Sequence, residues 1–328
     1  MTEIPCCIFH TKLLILDDNK DFIEGVQFAL SSKNKSIGIT NINAARDIIF
    51  ENKNWVNKLL GNGVSRAFDT DSTKFAVEMD ISSLHKVIYD PNRFNHIAIL
   101  IIDYDMPDMN GLNFIRSLGN HRLKIIMLTG KAGQDTVIKA FNDNEIHRYV
   151  SKGEPDYLQI ISKYVGELEN EFFIDFSKFL LDSLKSETEI FDTSPFQNIF
   201  HQVVQENNIV EYYLLDESGS FLLLDATAEN QIWLLVKSKN DMRLFYELAV
   251  EDPDTPAYVI KKLKNQEAFT HFKTEEESHF GAKYWNLIDC KPLDEKKEFY
   301  YAILKNDDDF KIDLEEIKSY ADFINEQE

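Results

Sequence analysis

Short apolar runs closed by a polar residue recur through the first half of the chain. LLIL (13–16) ends in Asp17 and Asp18, IAILII (97–102) in Asp103, IIML (125–128) in Thr129 and YVS (149–151) in Lys152. Runs of this kind are what a strand buried on both faces requires. Segments of helical spacing separate them, such as Phe22, Val26 and Phe28 to Leu30 after the first run. With a further strand at 36–42, this alternation predicts an α/β fold, a doubly wound, five-stranded parallel sheet. Only one strand is needed between Asp18 and Asp103. The stretch between about 55 and 92, which holds the turn signals Gly61-Asn62-Gly63 and Asp90-Pro91-Asn92, therefore reads as an insertion.

Residues 156–185 contain no proline and carry a stripe, Leu158, Ile161, Val165, Leu168 and Phe172, stepping by 3 and 4. Phe176, Phe179 and Leu180 continue it with a shift of register. Two readings stand side by side: a dimerising connector helix with coiled-coil spacing, or a last helix packed on its own sheet. From about Ser194 the grammar changes. Residues 209–217, 220–226, 231–238 and 299–305 read as strands, with Ser218-Gly219 as a hairpin turn. Helices are expected at 241–250 and 255–266, and a final one carries Leu314, Ile317, Ala321 and Ile324. The expected organisation is 1–165 for the parallel-sheet domain, 166–193 for a helical connector and 194–328 for an α+β domain.

Composition narrows the function. The chain has 328 residues, enough for about two domains, and is 44% hydrophobic. No apolar run approaches the roughly 18 residues of a membrane helix, and the N-terminus lacks the basic start of a signal peptide. Cys6, Cys7 and Cys290 are too few for a disulfide framework or a sulfur metal site, so a cytoplasmic protein with reduced thiols is expected. The net charge is −21, and residues 191–328 alone hold 14 basic against 29 acidic residues. Nucleic-acid affinity comes largely from Lys and Arg on phosphates, so DNA is an unsuited partner for that half, as is an anionic membrane.

In open parallel sheets ligands bind outside the carboxyl ends of the strands. Asp17, Asp18, Asp103, Thr129 and Lys152, distant in sequence, are thereby gathered at one edge. Clustered carboxylates repel one another unless something neutralises them. Mg²⁺ prefers oxygen ligands and keeps waters, so this group suits an open Mg²⁺ site. Lys152 adds a compact cation and Thr129 a hydroxyl donor, a set matched to a phosphoryl group. An aspartate beside the metal can itself accept phosphate.

The ordered motifs DD (17–18), DYDMPDMNG (103–111), TG (129–130) and YVSK (149–152) resemble the response-regulator receiver domain over about residues 10–165. The resemblance implies a flavodoxin-like order of strands, 2-1-3-4-5, and phosphorylation by a sensor histidine kinase or phosphotransfer protein. It makes Asp103 the phospho-acceptor. Asp17, Asp18 and Asp103, with the main-chain carbonyl of Asp105, become the Mg²⁺ ligands. Thr129 becomes the switch hydroxyl, Lys152 the partner of a phosphoryl oxygen and Tyr149 the aromatic that turns inward with Thr129. Pro107 and Gly111 shape the loop after Asp103. Two positions depart from the family: Gly153 stands where proline commonly follows the lysine, and Asp105 where a neutral side chain is common.

The intact site and the heptad-like Leu158–Phe172 stripe point to a homodimer on phosphorylation. The family commonly joins its receiver to a DNA-binding helix-turn-helix, but the acidic charge and strand-rich start of this C-terminal half argue for an output domain outside the DNA-binding class. The pattern YYLLD, SGSFLLLDA and W resembles an uncharacterised output module of bacterial response regulators, of the kind found in quorum sensing. Its expected action is through a protein partner. An enzyme or nucleotide-binding module gated by the receiver is the alternative, and DNA binding ranks third. His271 and His279, flanking Glu275 to Glu277, read as a solvated charged helix rather than a metal site, and Trp233 and Trp285 as core.

Overall fold

The computed structural model describes residues 3–31, 35–61, 64–67, 76–79, 84–119, 121–130, 134–181, 188–270, 285–310 and 312–326. They form two compact units, one of Pro5–Ser183 with Glu315–Glu328, the other of Met1–Ile4 with Leu184–Leu314.

The first unit follows the predicted alternation. Its elements are β1 (Lys12–Leu16), α1 (Lys20–Leu30), β2 (Ser36–Ile39), α2 (Ile42–Gly61), β3 (Ile97–Asp103), α3 (Gly111–Ser117), β4 (Lys124–Thr129), α4 (Gln134–Asn142), β5 (Arg148–Ser151) and α5 (Tyr157–Leu181). The strands pair in parallel in the order β2-β1-β3-β4-β5. Every residue of β3 and β4 is buried, as the unbroken apolar runs require. On one face Leu14, Leu16, Leu100, Ile102, Ile125 and Met127 pack with Ala45 of α2, Phe114 of α3 and Val137 of α4. Helices α1 and α5 pack against each other, α1 on β2 and α5 on β3, β4 and β5.

Strand β2 stops at Ile39, short of the expected 42, because Asn41 starts the next helix: its Oδ1 accepts from the main-chain N–H groups of Asn43 and Ala44 at 2.9 and 3.1 Å. The expected insertion is partly regular. Helix α2 runs into it as far as Gly61, Val64–Ala67 pairs antiparallel with Ala76–Met79, and a 3₁₀ turn spans His85–Tyr89.

The stripe of α5 faces inward. Ile161, Val165, Leu168 and Phe172 are all buried within this unit, Leu158 partly so, and Phe176 with them. The side chains of Phe179 and Leu180 lie outside the described residues. The polar face is engaged too. Glu169 accepts from the N–H and the hydroxyl of Thr11, Lys124 reaches Asp175 at 2.7 Å, and Arg148 reaches Glu171 at 2.6 Å. This corrects the dimer-helix expectation. Periodicity reports an apolar face without naming its partner, and here the partner is the unit's own sheet.

The C-terminal segment also departs from expectation. Only Tyr320–Asn325 (α9) is α-helical; Leu314–Glu316 is a 3₁₀ turn and Leu314 is exposed. The Ser319 hydroxyl caps Tyr320–Asn325 by accepting from Asp322 N–H at 3.1 Å, which sets a new helix start. The segment lies with the parallel sheet rather than with the residues that precede it. Tyr320 stacks on His10 with ring centroids 4.0 Å apart, Phe323 packs at 5.3 Å from Phe94, and the buried Arg93 donates to the carbonyl of Lys318 at 2.6 Å.

The other unit is α+β. It comprises α6 (Ser194–Glu206), β6 (Ile209–Leu214), β7 (Phe221–Asp225), β8 (Gln231–Ser238), α7 (Lys239–Glu251), α8 (Ala257–Lys264), β9 (Ala268–Thr270), β10 (Leu287–Asp289), β11 (Lys291–Pro292) and β12 (Phe299–Lys305). Within it β6-β7-β8-β12-β11 bond antiparallel in that order, and β9 pairs with β10. The β6–β7 turn uses Gly219 at φ 95°, and Lys237 pins it through Asp216 at 2.6 Å. Phe196, Phe200, Tyr212 and Phe221 form an aromatic core. Trp233 and Trp285 pack partly buried against apolar clusters of this unit. His271, His279 and Glu275 to Glu277 lie outside the described residues.

Candidate functional site

Register decides the site. Leu16 pairs with Ile102, Asp103 with Leu128 and Thr129 with Ser151, so the residues that close β1, β3, β4 and β5 stand at one edge. Asp17 and Asp103 are buried there while Asp18 is exposed. One carboxylate oxygen from each of the three lies within 4.8 Å of the others. Lys152, first residue after β5, places Nζ 2.7 Å from Asp17 Oδ2 and 2.9 Å from Asp103 Oδ1.

Local geometry fixes each member. Asp17 Oδ1 accepts from Asn19 N–H at 2.9 Å, and Asn19 caps α1 through Phe22 N–H, so the acidic pair sits on a rigid strand-to-helix turn. The main-chain N–H of Lys152 donates to the Thr129 carbonyl at 2.9 Å. Thr129 is fully buried, with its hydroxyl donating to the Gly130 carbonyl at 3.0 Å. Gly111 approaches the acceptor closely: a Cβ there would come within 2.2 Å of the Asp103 carbonyl oxygen, so only glycine fits. Pro107 is exposed on the same loop. Tyr149 is half-buried, edge-on to the exposed Phe141 at 5.7 Å.

Burial pushes the Asp103 carboxyl up from its ordinary range; Lys152 pulls it down, and the charges of Asp17 and Asp105 push it up further. For Lys152 burial acts downward, but its bonds to Asp17 and Asp103 outweigh that and raise it. The cluster therefore holds an excess of negative charge around one shared lysine. Its donors are hard oxygens, one of them on an exposed side chain. One carboxylate oxygen from each of Asp17, Asp18 and Asp103 lies near enough to the others for a single small cation to be shared among them. The residues fit a Mg²⁺ ion. The cysteines do not compete for metal: Cys6 and Cys7 are buried, and burial pushes the Cys6 thiol up to about 12.

One feature of the site is absent from the sequence reading. Lys152 Nζ lies 4.5 Å from the centroid of the Phe22 ring, and Phe22 stacks on Tyr157. Phe22 had read only as part of the helical apolar pattern.

Comparison with known proteins agrees with this geometry. Residues 57–161 match the response regulator receiver domain. The parallel-sheet unit thus carries a response regulator receiver domain. The matched span begins after Asp17 and Asp18, yet β1 pairs directly with β3 and returns that acidic pair to the site. Over its length the chain is similar to the Legionella pneumophila response regulator LqsR, at 27% identity, covering 99% of this chain and 96% of that one with a TM-score of 0.75. An adenylate cyclase from Rhodopirellula baltica aligns at 17% identity over 54% of this chain and 98% of its own, with a TM-score of 0.36, too low to bear on activity. A receiver domain protein from Clostridium thermocellum aligns at 18% identity over 49% of this chain and 95% of its own, with a TM-score of 0.34. No curated protein matches the chain. Among the described residues, no helix is long and apolar enough to cross a membrane.

Proposed function

We propose that the chain is a phosphorylation-controlled regulator in which Asp103 takes a phosphoryl group from a histidine kinase or phosphotransfer protein. The observation that supports this best is the Lys152 ammonium shared between Asp17 and Asp103 at the carboxyl edge of the sheet. A carboxylate oxygen of Asp103 forms the new P–O bond as the P–N bond of a phosphohistidine breaks, and the leaving imidazole nitrogen takes a proton. Asp17, Asp18 and Asp103, with the Asp105 carbonyl, would hold Mg²⁺, which offsets phosphoryl charge when bound. Lys152 moves part of its ion pairing from Asp103 to a phosphoryl oxygen, and Thr129 supplies a hydroxyl donor. Tyr149 follows Thr129 into the space it leaves.

The surface that changes is α4 beside β5, where Ile138 and Phe141 are exposed next to Tyr149. The buried stripe of α5 cannot carry dimerisation, so we assign a phosphorylation-dependent homodimer to this α4 face. The Leu184–Leu314 unit then acts on a protein partner, in a cytoplasmic circuit of the quorum-sensing kind. Its acidic charge opposes DNA as that partner. Intact-protein mass spectrometry after acetyl phosphate and Mg²⁺ tests the reading: wild type gains one phosphoryl group and Asp103→Asn gains none. Equal labelling of both would refute it. Sedimentation of the same samples reports the dimer.

A further inference from the structure

Two carboxylates hold the Lys152 ammonium from one side, and an aromatic ring meets it from another. Phe22 stands in the first turn of α1, directly after the acidic pair, with its ring centroid 4.5 Å from Lys152 Nζ. Tyr157, first residue of α5, stacks on Phe22 with centroids 5.7 Å apart and planes within 19°. Main-chain bonds hold the backbone of the loop that carries Lys152, with Lys152 N–H on the Thr129 carbonyl at 2.9 Å and Glu154 N–H on the Ser151 carbonyl at 3.1 Å, but they do not reach the ammonium. Gly153 follows the lysine, Gly153 to Asp156 are exposed, and a Cβ at Gly153 would meet only the Ser151 hydroxyl at 3.7 Å.

The chemistry of the ring differs from that of the carboxylates. An aromatic face attracts an ammonium through its quadrupole and carries no net charge. When a phosphoryl group arrives, Lys152 must give up part of its hold on Asp103, and Asp17 competes with the newcomer for the same cation. The ring contact competes with neither and can persist through the transfer.

We infer that Phe22, backed by Tyr157, is a positioning residue that holds Lys152 in place to meet a phosphoryl oxygen on Asp103. This rests on the reading of Asp103 as phospho-acceptor. Leucine at position 22 keeps an apolar body of similar size and removes the quadrupole; tryptophan keeps a ring.

The test follows phosphorylation of the full-length chain by acetyl phosphate and Mg²⁺, with intact mass as readout and Mg²⁺ affinity measured separately by calorimetry. Phe22→Leu is expected to slow labelling about three- to tenfold, the range of one cation–π contact. Phe22→Trp should label at the wild-type rate within about twofold, and Tyr157→Leu should fall between. Mg²⁺ affinity should stay the same in all three, because the ring touches the lysine and not the metal ligands. Labelling of Phe22→Leu at the wild-type rate overturns the inference. So does a Phe22→Trp as slow as Phe22→Leu, or a loss of Mg²⁺ affinity that parallels the loss of rate. A wild-type chain that takes no phosphoryl group overturns the Asp103 reading and this inference together, whereas a labelled wild type with an equally fast Phe22→Leu overturns this one alone.

Discussion

The ammonium of Lys152 lies 2.7 Å from Asp17 Oδ2, which ties the loop after β5 to the end of β1 across 135 residues of sequence. The same Nζ is 2.9 Å from Asp103 Oδ1, so one cation serves two buried carboxylates, with the exposed Asp18 nearby.

With three carboxylates on one lysine, such a cluster costs stability until a second cation joins it. The folded pKa of Asp103 stands above the unfolded value, so its contribution is present at low pH and lost as pH rises through the folded pKa. Asp103→Asn should therefore melt higher than wild type at neutral pH. Mg²⁺ should raise the wild-type melting temperature, by about 2.7 kcal/mol of stability at a hundredfold excess over Kd. Thermal melts of wild type and Asp17→Asn with and without Mg²⁺ check this; the variant should respond much less.

Gly111→Ala should damage the site from behind. Its Cβ would meet the main-chain carbonyl oxygen of Asp103 at 2.2 Å, where no side chain can swing aside. The expected cost is about 1–3 kcal/mol, with labelling by acetyl phosphate slowed at least about tenfold as Asp103 shifts. Urea titration and intact mass measure the two effects.

Acid should destabilise the receiver through its histidines. Burial holds His96 down at about 3; burial, with the Lys124 charge behind it, holds His147 at about 4. Both stand below the ordinary 6.5, so their stabilising effect is complete above that value and is lost as pH falls toward the folded values. Stability in urea should drop by on the order of a few kcal/mol between about pH 6.5 and pH 4. His96→Phe, which cannot charge, should flatten the fall.

Phe323→Ala should weaken the parallel-sheet unit by about 3 kcal/mol, because Phe323 is buried against Phe94. Hydrogen exchange of β1 and β3 amides is the readout, and faster exchange there is the expected result.

Much of this was legible in the chain. Strands buried on both faces must be written as apolar runs, and a parallel sheet must set their ends side by side. That is why Asp17, Asp18, Asp103, Thr129 and Lys152 could be grouped before any coordinates. The stripe of α5 leaves two partners open in the sequence, because spacing carries no record of what covers a face; in the structure Ile161 and Leu168 are buried. The segment 314–325 kept a helical period across Ser319, where a side-chain cap restarts the chain. Phe22 was hidden by its type, since an aromatic in a first helical turn looks like core until the lysine above it is seen.

The contribution of Tyr320 and Phe323 to the unit that begins with Pro5 has a kinetic consequence. During translation the wall beside His10 and Phe94 stays unfinished until the ribosome has passed residue 326 and the intervening 131-residue body, Leu184–Leu314, has emerged. A nascent chain stalled inside that body offers chaperones a sticky aromatic groove that the mature protein covers.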